Sequence, residues 1–493
     1  MDPNYKARKE AFVSDLSGGS ILEINAVTLV APVAVLLWSV LQSRLSFFTP
    51  YSAAALVVDF LLNVTAILFA TTLYSSAPLL LNLLIASPAF LLLLNTPRPR
   101  TQQKAKPPQK EASNKSQNAT NQPESLPIHP FLTIYRAAMM IITCVAILAV
   151  DFRVFPRRFA KAENWGTSLM DLGVGSFVFS GGVVSARSLL KSRSNQAKRT
   201  PLVQRFMAST RHSIPLLVLG LIRLYSVKGL DYAEHVSEYG VHWNFFFTIG
   251  LLAPFVEIFD TLAAFIPSYE VLALGIAVLY QVALESTDLK WYIMVSDRGP
   301  DLLSKNREGV FSFLGYLAVF LAGRAIGARI MSRDPKKTPQ ARKSALTSLG
   351  VQALAWTVLF ALNSTYAGGY GANIPVSRRL ANMPYVLWVC AFNNAQLFLF
   401  CLIETVFFPV PRTPSKEGEA ERTSFATSQI LTAFNKNGLA IFLLANLLTG
   451  AVNLSIPTLD VSTVQAMVVL VGYAAVLTGV AVGLDKANIK LTI

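Results

Sequence analysis

The chain has 493 residues, 53% of them apolar and only 14% charged, with a mean hydropathy of +0.46 and a formal net charge of +15. Soluble domains carry roughly a quarter charged residues, so a soluble fold of this size is excluded and the chain reads as an all-α polytopic membrane protein. In such a chain the positive charge belongs with loops facing anionic lipid rather than with nucleic acid.

Residues 1–22 are polar, lack the apolar core of a cleavable signal peptide, and read as a short amphipathic approach to the membrane. The first span then runs from Glu23 to Leu41, the second over 53–73 and the third over 77–95. Residues 96–128, rich in Pro, Lys, Gln and Asn, read as a disordered loop. The fourth span, 132–151, ends on Asp151, and the fifth covers 168–190. A basic loop over 191–212 leads to a short sixth span at 213–227 that carries Arg223. The seventh runs from His242 to Ala264, the eighth over 270–286, the ninth over 309–331 and the tenth over 346–366. The eleventh opens in SRRLANMPYVLW and ends near Val410. A polar loop over 411–437 precedes the twelfth and thirteenth spans at 438–455 and 463–484.

About thirteen helices of roughly twenty residues result, which puts the termini on opposite faces. The loops after the third, fifth, ninth and eleventh spans are basic or low in complexity, and they share one parity. The positive-inside rule makes that face cytoplasmic, so the N-terminus is expected on the lumenal side and the C-terminus in the cytoplasm. The opposite face collects the informative polar sequence, and any site is expected to open there.

The densest part of that face is AVDFRVFPRRFAKAENWGTSLMDLGVGSFVFSGG, residues 149–182. Arg153, Arg157, Arg158 and Lys161 there could be snorkelling cations, but Asp151, Glu163 and Asp171 need another reason to sit at the edge of a span. The glycines over 173–182 suit close helix packing better than phosphate binding. There is no P-loop, HExxH or GxSxG, and the four histidines have no metal-ligand spacing. Cys144, Cys390 and Cys401 lie in apolar runs and read as packing residues.

Acyl transfer needs a group to take the proton of an attacking hydroxyl and a donor for the oxyanion. Asp151 suits the first task. Lys161 suits the second, or holds Asp151 ionised, while Arg157 and Arg158 could grip phosphate. His242, beside Trp243 and Asn244, is either an interfacial histidine or the alternative base. Arg307, Arg378 and Arg379 could bind a headgroup or only snorkel, and Asn446 and Asn453 could line a site or only join helices. A flippase or lipid transporter would use similar residues, although no inverted repeat is visible.

The same stretch resembles the signature of the GPI inositol acyltransferase family, the fungal GPI-anchored wall transfer proteins and their animal counterparts. Similarity extends to EINAVT (23–28), EHVSEYGVHWNFF (234–246), NREGVFSFLGY (306–316), VSRRLANMPYVLW (376–388) and LLANLLTGAVNLS (443–455). It implies a single multi-pass domain of the endoplasmic reticulum membrane that moves palmitoyl from acyl-CoA to the inositol of glucosaminyl-phosphatidylinositol. On that resemblance the catalytic pair falls on Asp151 and Lys161. The substrate-binding set takes in Arg157, Arg158, Trp165, Asp171, His242, Asn244, Arg307, Arg378, Arg379, Asn446 and Asn453. No bound cofactor or metal is expected. The expected partners are acyl-CoA as co-substrate, glucosaminyl-phosphatidylinositol and membrane lipids, with no nucleic acid.

Overall fold

A computed structural model describes residues 4–97, 129–194, 201–228, 236–332, 339–364, 372–409 and 416–491. Most of the loop expected at 96–128 therefore lies outside the described residues, as do parts of those at 191–212 and 411–437. The described chain is helical, with two isolated bridges and no strand. A short helix, α1 (Tyr5–Val13), precedes α2 (Ile21–Leu45), α3 (Ala53–Thr71), α4 (Pro78–Asn95), α5 (Pro130–Ala149) and α6 (Leu169–Ser194). Then come α7 (Leu202–Lys228), α8 (Phe245–Leu262), α9 (Tyr269–Ser286), α10 (Arg307–Met331), α11 (Pro339–Asn363) and α12 (Met383–Phe407). The last three are α13 (Gln429–Lys436), α14 (Gly438–Ser455) and α15 (Thr463–Lys486).

Among the described residues, 12 helices are long and apolar enough to cross a membrane. Helix α7, the expected sixth span, is not one of them, because its cations lower its hydropathy. Geometry nevertheless places it alongside a span. At one end Arg205 pairs with Glu257 of α8 at 3.5 Å, and at the other Asn244 Nδ2 donates to the Gly220 carbonyl at 2.9 Å. Helix α7 thus runs antiparallel to α8 from Arg205 to Gly220, and its 27 residues cover about 40 Å, longer than a bilayer core of about 30 Å. Among the described residues the candidate spans therefore number 12 against the thirteen expected, and α7 is the difference.

Polar contacts show which ends lie together. Arg158, after α5, reaches Glu23 at the start of α2 and the Ser75 carbonyl between α3 and α4. Gln281, near the end of α9, accepts from the backbone of Met383 at the start of α12. At the other end of the bundle Arg44 meets the Thr96 carbonyl, and Glu404 caps the start of α5 through Phe131 N. Helix α1 contacts the α14–α15 turn through Arg8 and Asp460, whereas Lys436, before α14, pairs with Asp485 near the C-terminus. The two termini therefore sit at opposite ends of the bundle.

The centre is α6 against α10. A Cβ built on Gly182 would lie 2.1 Å from the Phe320 carbonyl oxygen, and one on Gly323 would lie 2.2 Å from that of Phe179. Only glycine lets the two backbones approach this closely, so these glycines serve packing. The polar loop expected at 411–437 is partly helical. Helix α13 buries Ile430, Leu431 and Phe434, and Ser428 caps it while donating to Asp59 of α3.

Candidate functional site

Beyond α5 the chain turns at once, because Asp151 N and Phe152 N donate to the carbonyls of Leu148 and Ala149. Phe152, Phe155 and Phe159 then point inward and are fully buried, so the segment is wedged into the bundle end instead of lying along the membrane surface. The loop that follows is fixed residue by residue. Ala162 N donates to Asp171, Glu163 N to the Leu16 carbonyl and Gly166 N to the Val376 carbonyl. Gly166 adopts φ +126°, and a Cβ there would meet the Ser17 carbonyl oxygen at 1.9 Å, so this close approach requires glycine.

Asp151 lies in a corner of this loop and is 9% exposed. Its Oδ2 accepts from Nδ2 of Asn453, at the end of α14, at 2.8 Å. Its Oδ1 faces the Lys9 ammonium of α1 at 3.4 Å, and Lys9 also donates to Asn453 Oδ1 at 2.7 Å. An ionised carboxylate offers about four lone-pair sites, so this one retains acceptor capacity. Arg157 stands close by, but its guanidinium stacks 3.7 Å from the Phe12 ring and donates to the carbonyls of Val150, Phe152 and Phe155. All three bonds come from one terminal nitrogen and fix the turn. Arg158 pairs with Glu23 at 2.7 Å and stays 39% exposed.

Lys161 does not touch Asp151. It pairs with Glu238 in the segment before α8, which corrects the expectation that Lys161 holds Asp151 ionised. Glu238 also faces Arg378 at 3.7 Å, and Arg378 Nε donates to Asp171 Oδ1 at 2.6 Å. Asp171 Oδ2 accepts from Ala162 N at 3.0 Å and Ser168 Oγ at 2.8 Å, and Tyr385 donates to the Asp171 carbonyl. Burial raises the Glu238 carboxyl, but Lys161 first and then Arg378 outweigh it and hold its pKa down at about 2. Burial alone would lower the Arg378 pKa, yet Glu238 and Asp171 carry it well above the ordinary arginine value.

A second network lies beside the first. Glu308, fully buried at the start of α10, pairs with Arg298 at 2.6 Å and with Arg379 at 2.9 Å. Arg379 also donates to Asn164 Oδ1 at 2.6 Å, and Arg307 is held by Ser296 through its hydroxyl and carbonyl. Arg307 and Arg379 point into the bundle end rather than outward as snorkelling side chains do. Both are buried and engaged by these protein partners, although the Nε of each has no hydrogen-bond partner. Removing one partner from such a network leaves a buried charge uncompensated.

The remaining expected residues sit apart from Asp151. Asn244 caps α8 through Phe246 N and is held by Gly220. Asn446 turns back onto the Phe442 carbonyl of its own helix. Trp165 packs against the apolar cluster of Tyr280, Leu284, Ile293 and Leu380. His242 lines a cavity of about 330 Å³ with Leu217, Trp243, Phe247, Leu251 and Asn306, and its backbone N is fixed by Asn306. The structure thus joins Asp151 to Asn453, and Lys161 to Arg378 and Asp171 through Glu238.

The partners that sequence reasoning missed are Lys9, Glu238, Glu308 and Arg298. Glu238 lies inside EHVSEYG, where a carboxylate on the polar face was a usable signal, whereas Lys9 had none. Chemically, the arrangement offers a carboxylate with free lone pairs, and a lysine whose ammonium uses one of its three donors on Glu238.

The GWT1 family model matches residues 5–484. A relative from Aspergillus fumigatus, GPI-anchored wall transfer protein 1, is 77% identical over all of this chain and 99% of its own length. Proteins of the same description from Gibberella zeae and Candida albicans are 55% and 39% identical. The first alignment covers 99% of both chains and the second 100% of both.

Proposed function

The chain belongs to the GWT1 family, and from that premise we propose that it is an acyltransferase of GPI-anchor biosynthesis. The donor is a fatty acyl-CoA, palmitoyl-CoA in the first instance, and the acceptor is an inositol hydroxyl of glucosaminyl-phosphatidylinositol. The observation that carries this reading is Asp151. It is a carboxylate at a span's end, aimed by Asn453 and Lys9, with acceptor positions left open.

In the proposed reaction Asp151 takes the inositol hydroxyl proton as the oxygen attacks the thioester carbonyl carbon. The tetrahedral oxyanion is stabilised by the free donors of Lys161. The carbon–sulfur bond then breaks, the acyl ester remains on inositol, and the departing CoA thiolate receives the proton from Asp151. Asp151 and Lys161 do not touch, and the proposed reaction sets the hydroxyl at the first and the thioester carbonyl at the second. Arg158, still 39% exposed, and the exposed Arg153 are the cations of this loop best placed for the acceptor's phosphate. The helix ends that flank the basic loop of 96–128, marked by Arg44–Thr96 and Glu404–Phe131, lie at the other end of the bundle, which favours a lumenal site in the endoplasmic reticulum membrane.

The test is direct. Purified wild-type protein is incubated with labelled palmitoyl-CoA and glucosaminyl-phosphatidylinositol, and the glycolipid is analysed by mass spectrometry. The expected product carries one palmitoyl group on inositol. A monodisperse, folded protein that forms no acylated glycolipid would overturn the proposal.

A further inference from the structure

Helix α1 has no buried residue, so an apolar face does not hold it to the bundle. It is held by Tyr5, Arg8, Lys9 and Phe12, whose spacing places them on one side of the helix. Tyr5 meets Thr458 Oγ1 and Leu459 N, and Arg8 pairs with Asp460, all in the α14–α15 turn. Phe12 lies under the Arg157 guanidinium, and just beyond the helix Asp15 N donates to Glu163. The helix thus bridges the α14–α15 turn and the loop after Asp151, and Lys9 sits over the gap between them.

We propose that Lys9 is a positioning residue of the reaction, its ammonium and the Asn453 amide together aiming the Asp151 carboxylate and balancing its charge. Three contacts close a triangle. Lys9 donates to Asn453 Oδ1, Asn453 Nδ2 donates to Asp151 Oδ2, and Lys9 faces Asp151 Oδ1. Because Asn453 accepts on one side and donates on the other, Lys9 also fixes which way the amide points. The side chains of Lys9 and Asp151 are 21% and 11% exposed, so solvent screens this pair far less than Arg8–Asp460, at 39% and 40%. Among the described residues, the charged groups that pair with or act on Asp151 are Lys9 from α1 and Arg157 from its own loop, and Arg157 is engaged by carbonyls and Phe12. The inference rests on the reading of Asp151 as the base.

The test compares kcat and KM for palmitoyl transfer by the full chain in its wild-type form and as Lys9→Ala, Lys9→Gln, Lys9→Arg, Arg8→Ala and Asp151→Asn. Gel filtration checks each variant for folding. Lys9→Ala is expected to lower kcat on the order of 10- to 100-fold, as small misplacements of a catalytic group do, with little change in either KM. Lys9→Arg keeps the charge and is expected to retain most of kcat, whereas Lys9→Gln keeps a donor without charge and falls with the alanine variant. Added methylammonium should restore part of the Lys9→Ala rate and none of the Asp151→Asn rate. Arg8→Ala loses a tether of the same helix and should stay near wild type.

Full activity in Lys9→Ala, or an equal loss in Arg8→Ala, would overturn the proposal, as would a folded Lys9→Ala variant that neither methylammonium nor arginine rescues. If Asp151→Asn is inactive while the Lys9 variants are not, this inference alone fails. If Asp151→Asn keeps wild-type activity, the reading of the base fails and this inference with it.

Discussion

Two aspartates of one stretch meet opposite environments. Asp171 is fully buried, and its carboxylate takes an arginine, a hydroxyl and a backbone N–H. Asp151 stands at the edge of the bundle, takes one amide and faces one ammonium, and keeps acceptor positions open. A carboxylate whose partners are all protein groups holds the fold together, and one with acceptor capacity toward the substrate side can receive a proton. The same contrast separates Arg378 and Arg379, buried against carboxylates, from the partly exposed Lys161, which has donors to spare. Charge at a membrane edge therefore marks importance, and the partner list decides between scaffold and chemistry.

Substitutions sharpen this contrast. The largest effect on the protein itself is expected from Asp171→Ala, which takes the hydrogen-bonded carboxylate from Arg378, Ser168 and Ala162 N and leaves Arg378 only Glu238 at 3.7 Å. A loss of about 3–5 kcal/mol should appear as failure to accumulate a monodisperse protein in size-exclusion chromatography. Asp151→Asn should accumulate like wild type and melt within a few degrees of it, yet lose on the order of 10²–10⁴-fold in acyl-transfer rate. Equal thermal losses in the two variants would erase the distinction between them.

Smaller effects follow. Glu238 has its pKa lowered from 4.5 to about 2, so its contribution is complete above pH 4.5 and is lost as pH falls toward 2. A decline on the order of 2–3 kcal/mol across that window, abolished in Glu238→Gln, should be seen by thermal melting at stepped pH. Arg379→Ala removes one of three arginines from Glu308, and Arg298 and the more distant Arg307 remain, so about 1–2 kcal/mol is expected, with KM little changed. Asn446→Ala should lie within about 0.5 kcal/mol of wild type in melting and leave the rate unchanged, because its amide serves only its own helix.

Much of the architecture was legible because hydropathy over twenty residues is a strong signal. Helix α7 read weakly because Arg223 interrupts a short apolar run, and its length became evident only through its contacts with α8. Helix α13 was read as loop because eight residues are too few to display a helical period. Within the site, Asp151 and Asp171 stood out as acids at the ends of apolar runs. Their partners did not, since Asn453 and Asp151 are 302 residues apart and no local pattern encodes that contact. Arg378 and Arg379 were visible as charges, but whether they face lipid or a buried carboxylate is decided by tertiary packing.

The central claim is that Asp151 is the reacting carboxylate and Asp171 a keystone. The most direct test is single-turnover palmitoyl transfer to glucosaminyl-phosphatidylinositol by folded wild-type and Asp151→Asn protein, mixed with saturating palmitoyl-CoA. The account predicts a burst of acylated glycolipid from wild type and almost none from a variant that elutes and melts like it. A full-rate burst from Asp151→Asn would contradict the account and move the base elsewhere, with His242 the next residue to replace.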